Sequence, residues 1–285
     1  MGAILGGTGA ALAWALASLV ATRSSRALGP RIALAWVMAF GLLALLPVLA
    51  LSPAPEISQT TALWLVASGV GNVAGLLMVY RALRAGPLGV VTPIVSAEGG
   101  VTALIAILAG QSIGVPRALA LVAVLAGVVL VAYRADDGGL GTPDAPTDIR
   151  RAAFWAALAA LTFGVGLYAT GRAGSDVPVG WAVLPPRVVG VLVLTLPLLL
   201  TGRLRLPRAI VPFAIAGGCL EVLGFLAYAA GATSDLAVTA VLASLTGALA
   251  AGLGRVFYAE HLSSRQLAGV GVLVAAVGTL GALAA

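Results

Sequence analysis

The stretch VVTPIVSAEGGVTALIAILAG, residues 90–110, holds one carboxylate, Glu98, near the middle of an otherwise uncharged apolar run. A second run, IVPFAIAGGCLEVLGFLAYAAG, residues 210–231, holds Glu221 in the same way. A carboxylate near the middle of a bilayer costs at least ~2.5–3.5 kcal/mol, so residues of this kind mark a site by default. Helical spacing sets Glu98 about halfway along a segment near 88–109 and Glu221 about halfway along one near 208–231.

The bilayer itself follows from composition. With 61% hydrophobic and 9% charged residues and a mean hydropathy of +1.10, the chain cannot cover its own apolar surface as a water-soluble globule. A hydrocarbon core of ~30 Å needs about 20 residues of helix. Ten such spans can be placed, near 3–21, 32–51, 61–84, 88–109, 114–133, 152–171, 180–200, 208–231, 235–256 and 263–284. Their apolar runs are continuous, without the alternation of a β-barrel strand, and the class is an all-α polytopic membrane protein. The opening MGAILGGTGAALAWALASLVA lacks a basic leader and reads as the first span. The single cysteine, Cys219, lies within a span as a small packing residue and excludes an intrachain disulfide framework.

All sixteen basic residues are Arg. Arg23, Arg26, Arg31, Arg81, Arg84, Arg134, Arg150, Arg151, Arg203, Arg205, Arg208 and Arg265 fall in connections after spans 1, 3, 5, 7 and 9, against Arg117 and Arg172 on the other side. The positive-inside rule places the first group in the cytoplasm and both termini outside a bacterial-type plasma (inner) membrane. The net charge of +6 thus reports orientation, and no nucleic-acid partner is expected.

The two halves of the chain repeat. A shift of about 148 residues lays LGVVTPIVSAEGG (88–100) over LAVTAVLASLTGA (236–248), matching Leu88 with Leu236 and Ser96 with Ser244. The repeat also sets SGVGNVAGLL over GGCLEVLGFL, which puts Asn72 opposite Glu221 and Gly75 opposite Gly224. Five spans in each half is an odd number, so the second half enters the membrane in the opposite sense to the first. That gives two inverted five-helix repeats, with a binding site near the midplane between them. The expected units are an N-terminal repeat, 1–133, a solvated linker, 134–151, and a C-terminal repeat, 152–285. Asp136 and Asp137 in the linker solubilise it.

The stretch YRALRAGPLGVVTPI (80–94), the turn AGQSIG (109–114), and YAEHLSSRQLAGVGVLVAAVGTLGAL (258–283) resemble the half-unit of the drug/metabolite transporter superfamily, in its ten-helix EamA-type branch. The resemblance implies a secondary transporter that works in efflux. Gln111 departs from the family turn, which carries Glu, and Ala259 and His261 flank Glu260 where Gly and Arg are usual. Ser263 with Gln266 has capping-box spacing, which gives this turn a structural role at the start of the last span.

Around the two acids, four further residues are candidates for substrate binding or proton coupling. Asn72 is the repeat partner of Glu221. Arg187 either pairs with a carboxylate of protein or substrate, or reaches to the interface. Its counterpart is near Ala39, so the symmetry is broken there. Tyr80 and Tyr228 nearly coincide in the repeat and are favoured as pocket walls over Trp36, Tyr168 and Trp181. Pro93 and Pro185–Pro186 are expected to break helices, and Gly217–Gly218 to loosen the helix carrying Glu221.

The reading is a carrier of a small polar or amphipathic molecule by alternating access, either facilitative or proton-coupled, as monomer or homodimer. No cofactor, metal site or catalytic residue is expected, since one His and one Cys leave little for metal or nucleophilic chemistry. An intramembrane enzyme acting on a lipid or isoprenoid, or a non-transporting scaffold, are the alternatives. The Arg census makes a direct prediction. A reporter fused to the C-terminus will lie outside the cytoplasm and one inserted in the 134–150 linker inside it; fluorescence from a cytoplasmic C-terminal fusion would reverse the orientation.

Overall fold

The computed structural model describes residues 2–110, 114–132, 148–258 and 264–282. Gln111, the linker acids Asp136 and Asp137, and the turn residues Glu260, His261 and Ser263 lie outside the described residues. Among the described residues every regular element is helical. The first half contains α1 (Gly2–Leu28), α2 (Pro30–Ala50), α3 (Gln59–Ala85), α4 (Leu88–Val95), α5 (Glu98–Leu108) and α6 (Val115–Ala132). The second half contains α7 (Ile149–Gly174), α8 (Val179–Gly190), α9 (Leu196–Leu200), α10 (Val211–Ala232), α11 (Leu236–Ala243), α12 (Thr246–Tyr258) and α13 (Ser264–Ala282). Among the described residues seven segments are long and apolar enough to cross a membrane, counting Leu88–Ala106 through its break and Val179–Leu200 as one.

Local chemistry sets the ends of several of these helices. Gly29, at φ 79°, turns the chain between α1 and α2, and Pro30 starts α2 where a missing N–H costs nothing. Ser58 caps α3 by accepting the Thr61 N–H at 3.1 Å, and Asp148 caps α7 by accepting the Arg151 N–H at 3.0 Å.

The most extensive helix pairs join one half of the chain to the other. Along α3 and α7, Thr61 meets Asp176, Ser68 meets Thr170, Gly71 meets Gly166 and Gly86 meets Ala152, so the two run antiparallel over their whole lengths. The Thr61 hydroxyl donates to Asp176 Oδ2 at 2.8 Å, and the Ser68 and Thr170 hydroxyls are bonded at 2.6 Å. Helices α1 and α10 are likewise antiparallel, with Gly6 against Gly231 and Trp14 against Gly224. Small residues let these backbones approach closely where lipid supplies no hydrophobic drive for association.

The contacts at Gly75 and Gly224 correspond. Gly75 on α3 lies against the ring of Phe163 on α7, and Gly224 on α10 lies against the ring of Trp14 on α1. A shift of 149 residues carries Gly75 to Gly224 and Trp14 to Phe163. Each glycine therefore provides the flat surface on which the other half's ring rests.

The continuous spans expected near 88–109 and 235–256 are each two helices. Their breaks fall at Ser96–Ala97 and Ser244–Leu245, equivalent positions in the repeat. Pro93 lies within α4, upstream of its break, and the second break has no proline, so proline is not the shared cause. What the breaks share is serine: Ser96 donates to the Thr92 carbonyl at 3.0 Å and Ser244 to the Ala240 carbonyl at 3.1 Å. A hydroxyl that bonds the carbonyl four residues back competes with the helix, although Thr22, Ser24 and Thr170 make the same bond within unbroken helices. The backbone responds identically in both places: the Ala97 N–H reaches Ile94 at 3.2 Å and the Leu245 N–H reaches Leu242 at 3.1 Å, three residues back. The broken helices pack reciprocally, Gly99 against Ser244 and Gly247 against Ser96.

Two other expectations are corrected. α8 continues through Pro185 and Pro186 and widens into a π turn at Val191–Thr195, where the Thr195 hydroxyl donates to the Ala35 carbonyl at 2.8 Å. α10 is unbroken at Gly217 and Gly218, because these glycines admit α2: a Cβ on Gly218 would collide with Gly41 and Phe40.

Replacing Gly75 or Gly224 by Leu should cost ~1–3 kcal/mol or more through overpacking against the opposing ring. Thermal unfolding in detergent should show both variants melting earlier than wild type, whereas Gly252→Leu, whose Cβ would meet nothing within 4 Å, should not. Unchanged melting in both ring-facing variants would remove the close-contact account.

Candidate functional site

Between the helices that pair across the chain lies a partly open cleft, about 580 Å³ of empty space when the open solvent at its mouth is included. Its walls come from α1, α3, α4 and α5 of the first half and α7, α10 and α12 of the second. Positions related by the repeat both contribute to its wall: Trp14 and Phe163, Ser18 and Leu167, Leu76 and Phe225, Glu98 and Thr246. Most of the wall is apolar and aromatic, as small-molecule sites generally are. Both intramembrane acids, Glu98 and Glu221, line it.

Glu98 reaches the cavity because of the helix break. It is the first residue of α5, where the backbone N–H groups of the first turn have no carbonyl partner within the helix and the dipole is positive. A negative side chain is favoured at that end, which offsets part of the cost of its burial. Its carbonyl accepts the Thr102 hydroxyl at 2.9 Å, and the same hydroxyl approaches the Gly164 carbonyl at 3.1 Å, tying this turn to α7. The equivalent residue at the start of α12 is Thr246, whose hydroxyl donates to the Ala243 carbonyl at 2.7 Å. The scaffold is thus repeated and the charge is not.

Glu221 is held from behind. Arg187 on α8 is fully buried, and its Nη2 lies 3.8 Å from Glu221 Oε2, an ion-pair distance beyond direct hydrogen bonding. The other terminal nitrogen donates to Met38 Sδ on α2 at 3.7 Å, and the guanidinium lies 5.5 Å from the Phe225 ring centroid. Gly41 makes room for it: a Cβ there would come within 3.2 Å of Arg187 Cδ. Full burial settles the choice the sequence left open, since a snorkelling Arg would reach water. Arg187 is not in the cavity lining; it lies at ion-pair distance from the acid that is.

Tyr80 lines the cavity. Tyr228, its near-equivalent, does not line it; the residue is buried behind Trp14, with ring centroids 5.9 Å apart. Asn72 is also away from the cavity, on the α3–α7 seam where Gly166 approaches its backbone, and its amide makes no hydrogen bond among the described residues. Trp36 donates to the Arg205 carbonyl at 3.1 Å near a helix end, and Tyr168 packs on Trp64. The rings that do form the wall, Trp14, Phe163 and Phe225, were legible only through the repeat, which sets Trp14 over Phe163.

Residues 1–133, covering α1 to α6, match the profile of the EamA-like transporter family. The first half of the chain is therefore EamA-like, in agreement with the resemblance read from its motifs. No curated protein matches the chain. A solved structure titled "Crystal structure of protein" superposes on 99% of this chain and 97% of its own, with a TM-score of 0.73 and 20% sequence identity. That likeness shows a shared fold along nearly the whole length.

The ion pair makes its own prediction. Removing one partner of a buried pair typically costs ~3–5 kcal/mol because the other charge is left uncompensated. Arg187→Met should lower the melting temperature sharply, and adding Glu221→Gln should recover much of the loss. A double variant no more stable than Arg187→Met would show that the two side chains are not coupled.

Proposed function

We propose that this protein is a secondary membrane transporter that carries a small polar or amphipathic molecule by alternating access around the central cavity, in the export direction and coupled to protons. The observation that carries the reading is the cavity itself: equivalent positions of both halves form its walls, and both intramembrane carboxylates open into it.

The architecture proposed is ten spans as two inverted repeats, 1–133 and 152–285, joined by a cytoplasmic linker, in a bacterial-type plasma membrane. α1 and α3 are separated by two crossings and so share a direction, while α7 is antiparallel to α3 along its length. α7, the counterpart of α1, therefore runs opposite to it, as inversion requires. The α4–α5 and α11–α12 pairs each count as one broken span, a common device where a transporter places polar groups at membrane depth. Export, rather than uptake, follows from the family resemblance.

The cavity suits a ligand with an apolar body. Rings from Trp14, Phe163 and Phe225 offer flat surfaces, and Glu98, Glu221 and Tyr80 supply a few polar contacts that fix orientation. Rocking of the two helix groups about the reciprocal Gly–Ser contacts would open the cavity first to one side and then to the other. Such a movement changes what surrounds each carboxylate. If the two states differ in proton affinity, proton binding and substrate movement are linked.

Substituting Gln keeps the size and hydrogen bonding of these side chains while removing titration. With a substrate chosen from a stabilisation screen of amino acids, nucleosides, sugars and hydrophobic amines, Glu98→Gln or Glu221→Gln in proteoliposomes should abolish uphill accumulation against an imposed pH gradient yet retain counterflow. Full uphill transport in both single variants and the double variant would make the acids structural.

A further inference from the structure

We infer a second binding site, for the headgroup of an anionic phospholipid, in a pocket at the Arg-rich end of the helices. The pocket encloses about 1550 Å³ of empty space, counting its open mouth, and five arginines line it: Arg31, Arg81, Arg84, Arg151 and Arg203. They arrive from the α1–α2 turn, the end of α3, the start of α7 and the turn after α9, so both halves of the chain contribute.

Three observations favour an occupant over a merely basic rim. Among the described residues the one ion pair is Arg187 with Glu221, so none of the five has a described carboxylate within 4 Å. The acid in the lining, Asp148, is engaged as the cap of α7, accepting the Arg151 backbone N–H at 3.0 Å, while its own N–H donates to the Ala85 carbonyl at 3.0 Å. Two other basic residues at this end have partners within the protein: Arg23 lies over the Phe213 ring at 4.5 Å and Arg26 over Tyr258 at 5.9 Å, with Arg26 Nε donating to the Leu83 carbonyl. Of the five, Arg81 alone stacks on a ring, that of Trp155 at 4.8 Å, which leaves its guanidinium edge free for an anion.

The chemistry that meets unpaired guanidinium groups is a phosphate, recognised by paired N–H donors. The pocket also has an apolar side, with Ile32, Trp155 and Leu198 in its lining, and Phe154, Leu199 and Leu200 exposed next to them. A free phosphate has no use for that side, whereas a lipid places its phosphate among the arginines and its chains along it. Basic pockets between transmembrane helices on the cytoplasmic side bind lipid headgroups by this logic. Because the arginines come from both halves, a bound headgroup would bridge them across α3 and α7.

The test is native mass spectrometry of the full chain with diphosphatidylglycerol, with phosphatidylcholine, and with inorganic pyrophosphate as the free anion. Arg31→Gln and Arg84→Gln are combined because neither side chain stacks on a ring. Each arginine near an anionic headgroup is worth about fivefold in affinity, so the double variant should bind diphosphatidylglycerol about 25-fold more weakly. Arg172→Gln, at the other end of the molecule, should bind as wild type, and pyrophosphate should not displace the lipid. Melting in phosphatidylcholine reports whether the variants fold, and Arg84→Gln alone should show the fivefold loss if the double variant does not. Equal affinity for both lipids, an equal loss in Arg172→Gln, or displacement by pyrophosphate would each overturn the site.

Discussion

The crossing of two broken helices, with Gly99 against Ser244 and Gly247 against Ser96, is the constraint from which the rest of the interior follows. A side chain on either glycine would hold the two breaks apart. Each serine serves twice: its hydroxyl bonds the carbonyl four residues back at the break, and it forms the surface on which the other half's glycine rests. Bending exposes the start of a new helix in the middle of the molecule. Glu98 and Thr246, the residues at those two starts, face the cavity as a result.

Around that crossing the scaffold is symmetric and the chemistry is not. Ring-on-glycine contacts repeat at Gly75 with Phe163 and Gly224 with Trp14, and the walls repeat with them. The charges fall at unrelated positions: Glu98 corresponds to a threonine, Glu221 corresponds to an asparagine on the α3–α7 seam, and Arg187 corresponds to a residue near Ala39. A symmetric frame provides two related conformations. Departures from symmetry are where binding and coupling can be placed, because only there does the interior offer charge.

Much of this was legible in the sequence. Composition requires a lipid solvent, two acids stand alone in apolar runs, and a shift of 148–149 residues aligns the halves. The helix breaks were hidden because hydropathy is blind to backbone bends: Ser96 and Ser244 interrupt no apolar run. Proline points to position 93, while the break falls at Ser96–Ala97 and its repeat equivalent has no proline. Asn72 and Tyr228 were placed by repeat register alone, and register does not fix rotation about a helix axis. Arg187 had two readings until full burial chose the paired one. The rings of Trp14 and Phe163 were overlooked because aromatic residues in a span read first as interfacial anchors.

The central claim, that this cavity is a pathway open in turn to each side, is tested most directly by thiol accessibility. Cys219 is the sole native cysteine, so Cys219→Ser gives a clean background for Ser18→Cys, whose side chain faces the cavity. In oriented membrane vesicles a membrane-impermeant maleimide should label Ser18→Cys from either side, with substrate or a pH gradient shifting the balance between the two. Labelling from one side alone under every condition, or from neither, would contradict the account.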